Sequence, residues 1–204
     1  MKVRIGIDID STVGDFVTAF VAWYNKTHNT DYEVPALDDA LPMRHYIPQL
    51  LGVTSEQFED DLYQAASEGL FLELPVYPGA VQAVQQLVAH DCEIVFITRR
   101  NFSGISDLMR THTETWLSQA GFPYHELHLT SDKWLVGVDL LIEDNELIIE
   151  QMQAAGCQIV LFTAPWNKEH AHPHRFFDWN AALDVILPLV QEIKATKSST
   201  ASAS

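Results

Sequence analysis

The sequence predicts an α/β fold: a doubly wound, mostly parallel sheet with a small helical cap inserted after the first strand. Two observations predict it. Five short apolar runs have the length of buried strands, and helical patterns of about 10–15 residues separate most of them. This alternation is typical of parallel βαβ units. The predicted strands are Val3–Ile7, Glu93–Thr98, Glu126–Thr130, Asp139–Glu143 and Gln158–Thr163.

The helices of the predicted core are bounded by recognisable start and stop signals. Ser106–Gln119 ends before Gly121, with Pro123 just beyond it, and Leu147–Ala155 ends at Gly156. Glycine after a helix and proline shortly beyond it are common stop signals. The two other core helices are predicted at Val81–Ala89 and at Ala181–Lys194.

A stretch without this alternation, residues 14–76, is predicted to form the cap, while residues 1–13 and 77–195 form the core. Such an insertion would lie over the carboxyl edge of the sheet, where ligands bind in open α/β folds. Residues 196–204 are small and polar, so we expect a disordered tail.

Two helices are predicted within the cap. Phe16–His28 has aromatic residues on one face, and Thr54 begins a second helix that runs to Gly69. Gln57 follows Thr54 by three residues, as in a capping box. Between the two helices, residues 30–53 contain three prolines and are predicted to form a loop.

The composition restricts the partners and the compartment. A formal net charge of −16 would repel a polyanion such as duplex DNA. A small phosphorylated substrate stays compatible if a metal ion and a few basic residues reverse the field locally. Cys92 and Cys157 each begin an apolar run, which favours buried thiols over a disulfide. With neither a signal peptide nor a membrane span evident, we expect a cytoplasmic protein, and an oligomer stays open.

Paired acidic residues follow the first predicted strand. Asp8 and Asp10 are two residues apart, so on an extended segment both side chains leave the same face. Carboxylates held this close repel unless a cation or a shared proton lies between them, and Mg²⁺ is a hard cation that prefers oxygen ligands. The alternative is a solvated acidic pair at the end of a strand.

The ends of three further strands also carry polar side chains, which could belong to the same site. Thr98 and Arg99 follow the second strand and are suited to binding a phosphate, and Lys133 follows the third strand. Glu143 and Asp144 follow the fourth strand, where they would complete an oxygen cage for Mg²⁺. Each feature alone is also compatible with surface residues, and Asp144 could cap the next helix.

The order and spacing of these residues resemble the four-motif signature of the haloacid dehalogenase (HAD) superfamily. The resemblance extends from about residue 3 to residue 145. It implies that Asp8 attacks phosphorus and forms an aspartyl-phosphate, while Asp10 protonates the leaving oxygen and then activates water. Thr98 and Lys133 would hold the phosphoryl group. Mg²⁺ would bind Asp8, the main-chain carbonyl of Asp10, and Asp144. Ser11 departs from the glycine found in many members of this superfamily.

A narrower resemblance, to the 5′(3′)-deoxyribonucleotidase branch, rests on Asp15-Phe16, on residues 163–167 and on Asp178-Trp179. It implies that Phe16 lies near the base of a nucleotide, and stacking of a base on an aromatic ring is worth about 1–3 kcal/mol. Packing in the core or cap is the expected role of Phe20 and Trp23.

Three function classes therefore compete. The first is a Mg²⁺-dependent phosphomonoesterase that acts on (deoxy)ribonucleoside 5′-monophosphates. The second is a phosphatase for another small phosphoester, such as a sugar phosphate, and the third is a HAD-like binding module without turnover. A separate group, His170, His172 and His174, has imidazoles that could bind Zn²⁺ or Ni²⁺. We expect a solvated loop there, because Pro173 limits their convergence.

Overall fold

The computed structural model describes residues 2–34 and 46–202, in which six parallel strands form a sheet with helices on both faces. The strands are β1 (Val3–Ile7), β2 (Cys92–Thr98), β3 (Glu126–Leu129), β4 (Leu140–Glu143), β5 (Gln158–Phe162) and β6 (Arg175–Phe176). The helices are α1 (Phe16–His28), α2 (Tyr46–Leu51), α3 (Ser55–Ser67), α4 (Ala80–Ala89), α5 (Ser106–Ala120), α6 (Ile149–Ala154) and α7 (Ala182–Ser202). The α/β prediction is confirmed.

The strand order, β3-β2-β1-β4-β5-β6, places β1 at the centre of the sheet. In the register, Ile5 of β1 lies opposite Ile94 of β2 on one side and Leu140 of β4 on the other. The chain builds outward from β1 to β3 and then returns to add β4 on the opposite side. Ligands of doubly wound sheets bind beyond the carboxyl ends of the strands where the order reverses, here β1 and β4.

Alternation along each strand divides the core into two layers. Ile5 and Ile7 pack, together with α1, α4, α5 and α7, in the larger layer. Val95, Ile97 and Leu141 face the opposite side, where α6 covers them. This period of two, buried on both faces, explains why the strands read as continuous apolar runs.

Between β1 and α4, the described residues form α1, α2, α3 and the short turn Leu70–Leu72, which are joined by loops. α1 begins at Asp15, whose carboxylate accepts a hydrogen bond from the Thr18 amide at 3.1 Å. α3 begins at Thr54 with the predicted capping box, in which the Thr54 and Gln57 side chains each accept from the other residue's amide. The proposed division of the chain at residues 13, 76 and 77 stays a prediction.

Within the predicted loop of residues 30–53, helix α2 is a correction to the sequence analysis. Pro48 is the third residue of this six-residue helix. A proline in the first turn removes no helical hydrogen bond, because the amides there have no intrahelical partner. Residues 35–45, with the other two prolines, lie outside the described part of the chain.

The C-terminal helix also differs from the prediction, because α7 continues to Ser202 rather than ending at Lys194. The expected disordered tail of residues 196–204 is therefore wrong as far as residue 202. Lys197 holds this extension: its ammonium donates to Asp139 Oδ2 at 2.6 Å and to the carbonyl oxygen of Lys2 at 3.2 Å. No glycine or proline follows Pro188 to end the helix.

Both cysteines are unpaired and buried, as predicted. In residues 2–34 and 46–202, no helix is long and apolar enough to cross a membrane.

Trp179 connects the start of α7 to the loop after β1. It is 1% exposed, and its indole Nε1 donates to the carbonyl oxygen of Thr12 at 2.7 Å. Thr12 is itself fully buried. This bond therefore satisfies an acceptor that water cannot reach, and it joins two parts of the chain that are 167 residues apart.

Replacing Trp179 with Phe should lower the free energy of unfolding by about 1–3 kcal/mol, because the Thr12 carbonyl loses its partner. Urea denaturation measures the change. Trp23→Phe is the matched control: Trp23 donates to Glu68 Oε2 at an exposed position, so its loss should cost less than about 0.5 kcal/mol. Equal losses in the two variants would contradict a special role for the Thr12 bond.

Candidate active site at the carboxyl edge of the sheet

Asp8 lies directly beyond β1 and is 5% exposed. Its amide donates to the carbonyl oxygen of Ile142 at 3.0 Å, so the backbone ladder with β4 fixes its position. The side chain is held from two sides. Lys133 Nζ donates to Oδ1, and the Thr12 hydroxyl contacts Oδ2 at 3.4 Å.

The loop after Asp8 turns sharply. Ser11 has φ of 62°, in the left-handed region, and its amide donates to the carbonyl oxygen of Gly14 at 2.8 Å. This explains the glycine that many HAD proteins have here, because glycine reaches positive φ without steric cost. Serine makes this turn with a strained backbone.

Lys133 begins the short turn Lys133–Leu135 after β3 and is 3% exposed. Its ammonium also donates to Glu143 Oε2 at 2.6 Å. Burial acts to lower the pKa of Lys133, but the two carboxylates outweigh burial and raise it. The side chain is therefore a permanent cation between β1 and β4.

Three buried carboxylates meet at this point. One oxygen from each of Asp8, Glu143 and Asp144 lies within 4.8 Å of the others. Asp8 and Asp144 therefore share one site, as the sequence analysis required. The sequence pattern gave both Glu143 and Asp144 as candidate ligands, whereas the HAD resemblance implied Asp144 alone; the structure places both carboxylates in the group.

The chemistry of this group suits a divalent cation. Burial raises the pKa of Asp8 to about 7 and raises the pKa of Asp144 well above its usual value; for Asp144 the charge of Glu143 adds to the effect. One ammonium cannot neutralise three carboxylates, so a hard cation with oxygen ligands would complete the balance of charge. The residues present therefore fit Mg²⁺.

Asp10 faces a different partner. Its carboxylate accepts hydrogen bonds from the Thr98 hydroxyl at 3.1 Å and from Arg100 Nη2 at 2.7 Å. Arg100 is 1% exposed. The sequence analysis singled out Arg99, the exposed neighbour, and missed the role of Arg100. Its signal was the Arg-Arg pair after β2, which does not tell which arginine points inward.

A cavity of about 630 Å³ opens above these side chains, within the range of small-molecule sites. Asp8, Asp10, Lys133 and Asp144 lie on its polar side, where Arg99 also contributes. The rest of its lining is mostly apolar and includes the aromatic residues Phe16, Tyr46, Phe71, Phe102 and Trp166.

Phe16 is half-buried at the start of α1. Its ring stacks on Phe71, with centroids 6.0 Å apart and planes 11° apart. The other aromatic residues of α1 behave as predicted: Phe20 is fully buried in the core, and Trp23 packs against it with ring centroids 5.7 Å apart.

Two side chains of the loop after β5 donate hydrogen bonds to the main-chain carbonyl oxygen of Asp144. Asn167 Nδ2 donates to the carbonyl oxygens of Asp144, at 2.7 Å, and of Phe162, at 2.8 Å. Trp166 Nε1 donates to the same Asp144 oxygen at 3.1 Å. These bonds connect the ends of β4 and β5.

The three histidines lie at a separate cavity. Neighbouring rings in the series His170, His172 and His174 have centroids 6.4 and 6.1 Å apart, and His170 is exposed. Among the described residues, the three acids at the strand ends are the only group with metal-ligand geometry. The loop therefore does not assemble a metal site from its imidazoles.

The sheet order, the helical insertion after β1, and an acidic site built from four strand ends define a HAD-type phosphatase. The chain is thus a phosphoric monoester hydrolase by class. Within that class it belongs to the family described as "5' nucleotidase, deoxy (Pyrimidine), cytosolic type C protein" (NT5C), whose model matches residues 1–193.

Several relatives are named as deoxyribonucleotidases. The human "5'(3')-deoxyribonucleotidase, cytosolic type" is 25% identical over 197 residues, which cover 88% of this chain and 90% of that protein. The human mitochondrial 5'(3')-deoxyribonucleotidase is 26% identical over 191 residues, covering 89% and 82%. A Chlorobaculum tepidum protein that bears the deoxyribonucleotidase name provisionally is 27% identical over 193 residues, covering 93% and 92%.

Solved structures share the fold at low identity. CbbY from Rhodobacter sphaeroides, crystallised with phosphate, has a TM-score of 0.57 at 12% identity and covers 93% of this chain and 99% of its own. A HAD-superfamily hydrolase from Geobacter sulfurreducens has a TM-score of 0.54 at 14% identity, covering 91% and 100%. These similarities concern the fold alone.

The raised pKa of Asp8 predicts how pH changes the stability of the metal-free protein. The folded protein holds this proton more tightly than the unfolded chain, whose pKa is 3.8. The stabilising effect is therefore present below about pH 4 and is lost as the pH rises to about 7. In a chelator, the wild type should lose urea stability over this window relative to Asp8→Asn. Parallel profiles of the two proteins would contradict the burial effect.

Proposed function

We propose that this chain hydrolyses (deoxy)ribonucleoside 5′-monophosphates with Mg²⁺, through a phosphoryl group carried on Asp8. The proposal rests mainly on one observation: the buried Asp8 carboxylate lies against Lys133 and Asp144 in a cavity that is also lined by aromatic and aliphatic side chains. A phosphate and a nucleobase need these two kinds of surface. The family and the names of the relatives agree with this substrate class.

In the first step, an oxygen of Asp8 attacks phosphorus. The bond from phosphorus to the nucleoside oxygen breaks, and that oxygen takes a proton from Asp10. In the second step, Asp10 accepts a proton from water as the water oxygen attacks phosphorus, and the bond from phosphorus to Asp8 breaks. Free phosphate leaves, and both carboxyl groups return to their starting states. A carboxylate nucleophile divides one difficult displacement into two easier ones.

The charges around Asp8 support its role as nucleophile. Lys133 donates to Oδ1 and keeps the carboxyl group in one orientation, while its positive charge favours an incoming phosphate. Arg99 is the further phosphate contact that we propose, whereas Thr98, which was expected to share this role, is fully buried and donates its hydroxyl to Asp10. Arg99 is exposed at the cavity, so its guanidinium is free to reach a ligand without breaking a buried bond.

Mg²⁺ is the proposed cofactor. Asp8, Asp144 and the main-chain carbonyl of Asp10 would hold it, and Glu143 belongs to the same acidic group. When bound, the ion offsets negative charge on the phosphoryl oxygens and on the carboxylates.

We place the nucleobase beside Phe16. The ring is half-buried and already stacked on Phe71, so binding a base costs little side-chain freedom. An aromatic platform accepts different bases, because every base has a π-face. The cytoplasm is the compartment we propose, since both buried cysteines are unpaired.

Purified protein should release phosphate from dUMP or dTMP when Mg²⁺ is present and should stop when a chelator is added. Asp8→Asn should reduce turnover below detection, because an amide cannot accept the phosphoryl group. Phosphate release is measured colorimetrically, with His174→Ala as a control that changes a residue outside the cavity. Normal turnover by Asp8→Asn would overturn the nucleophile assignment. Turnover of sugar phosphates well above that of nucleotides would replace the substrate class.

Phe16→Leu should raise KM for nucleotides by about 5- to 150-fold, the equivalent of about 1–3 kcal/mol of base stacking. KM for a small sugar phosphate should change little, because that substrate has no base. Phe177→Leu, at a side chain that is 73% exposed and outside the cavity, is the matched control. An equal rise in KM for both substrates would show that Phe16 shapes the cavity rather than binding the base.

A further inference from the structure

Arg100 is a buried cation with no role in the mechanism above. We propose that Arg100 is the positioning residue for Asp10, and that it holds this carboxyl group at the angle from which a proton reaches the leaving oxygen. The inference rests on the proposed function, because it assumes that Asp10 moves that proton. It assigns to Arg100 an effect on catalysis that acts through Asp10 alone.

The contact between the two side chains is bidentate. Arg100 Nε donates to Asp10 Oδ2 at 2.9 Å and to Oδ1 at 3.3 Å, while Nη2 donates to Oδ1 at 2.7 Å. The Thr98 hydroxyl adds a third donor at Oδ2. A planar fork against a planar carboxylate fixes orientation as well as distance, which a single ammonium does not do.

Arg100 is itself held rigidly. Nη1 donates to the Thr113 hydroxyl at 3.1 Å, and this hydroxyl donates to the carbonyl oxygen of Met109 at 2.7 Å. The guanidinium carbon lies 4.3 Å from the centroid of the Phe71 ring, in cation–π geometry. The same carbon lies 5.8 Å from the centroid of the Trp116 ring. Only 1% of the surface of Arg100 is exposed, so these contacts enclose the side chain.

The geometry argues against Arg100 as a direct phosphate ligand. Although Arg100 also lines the cavity, each of its three nitrogens already donates one hydrogen bond to Asp10 or Thr113. By contrast, the side chain of Asp10 is 26% exposed and faces the cavity. The substrate therefore meets Asp10, while Arg100 supports it from behind.

Phe71 extends this support toward the base. Its ring contacts both the guanidinium of Arg100 and the ring of Phe16, on which it stacks. The proton donor and the proposed base platform are therefore held by one continuous stack.

A series of aryl phosphates, from phenyl phosphate to p-nitrophenyl phosphate, tests the inference with the whole protein and Mg²⁺. The leaving phenolates differ in basicity, so only the poorer leaving groups need a proton. Arg100→Met should reduce kcat for phenyl phosphate by about 100-fold and for p-nitrophenyl phosphate by less than about 3-fold. Asp10→Asn is the reference, because it removes the donor itself. It should steepen the plot of log kcat against the basicity of the leaving phenolate.

Three further variants separate positioning from folding. Arg100→Lys keeps the charge without the fork and should recover part of the phenyl phosphate rate. Thr113→Val, which removes only the hydroxyl that steadies Nη1, should steepen the plot slightly. Arg110→Met, at an exposed arginine of α5 paired with Glu114, should leave it unchanged. Circular dichroism checks that each variant is folded, and Thr113→Val carries the test if Arg100→Met is not.

The outcomes distinguish this inference from the proposed function. A steeper plot for Asp10→Asn, together with a uniform loss for Arg100→Met and Thr113→Val, would overturn positioning by Arg100 and leave the mechanism standing. Unchanged plots for all three would overturn Asp10 as proton donor, and the inference with it. Aryl phosphates carry no nucleoside, so failure of nucleotides as substrates would not affect the result.

Discussion

The two ion pairs of Lys133, with Asp8 and with Glu143, are the interaction on which the site depends. They join the end of β1, the turn after β3 and the end of β4 through one buried ammonium. Buried carboxylates at adjacent strand ends repel, and without this cation their desolvation would oppose folding of the edge. Buried ion pairs add little net stability compared with apolar packing. Here they hold in place Asp8, for which we propose the role of nucleophile.

A second buried cation, Arg100, pairs with the other aspartate at the same edge of the sheet. Asp8 and Asp10 are only two residues apart, yet their side chains meet different partners. Asp8 lies among acids and one lysine, whereas Asp10 lies against arginine and threonine. Different surroundings give chemically identical groups different roles, which is a common feature of paired carboxylates. A protein with net charge −16 can thus attract a phosphate locally.

The sequence was sufficient for most of the framework. β1 has the predicted bounds, α3 has the predicted capping box, and the acids after β1 and β4 meet as their spacing required. Local sequence patterns gave wrong predictions where contacts between distant residues determine the structure. α2 was missed because a proline in a first turn looks like a loop residue, and the end of α7 is set by bonds from Lys197 to Asp139 and Lys2. Which of Arg99 and Arg100 points inward depends on how α5 packs against the sheet, and no local pattern encodes it.

The bond from Trp179 to Thr12 has a consequence for the order in which the molecule is completed. The loop after β1 carries Asp8 and Asp10, but the buried carbonyl oxygen of Thr12 in this loop accepts its bond from a residue 167 positions later. A ribosome releases the first strand long before that indole exists. The growing chain therefore lacks a finished catalytic loop until nearly all of the domain has emerged, and contacts of such long sequence separation are typically late steps of folding.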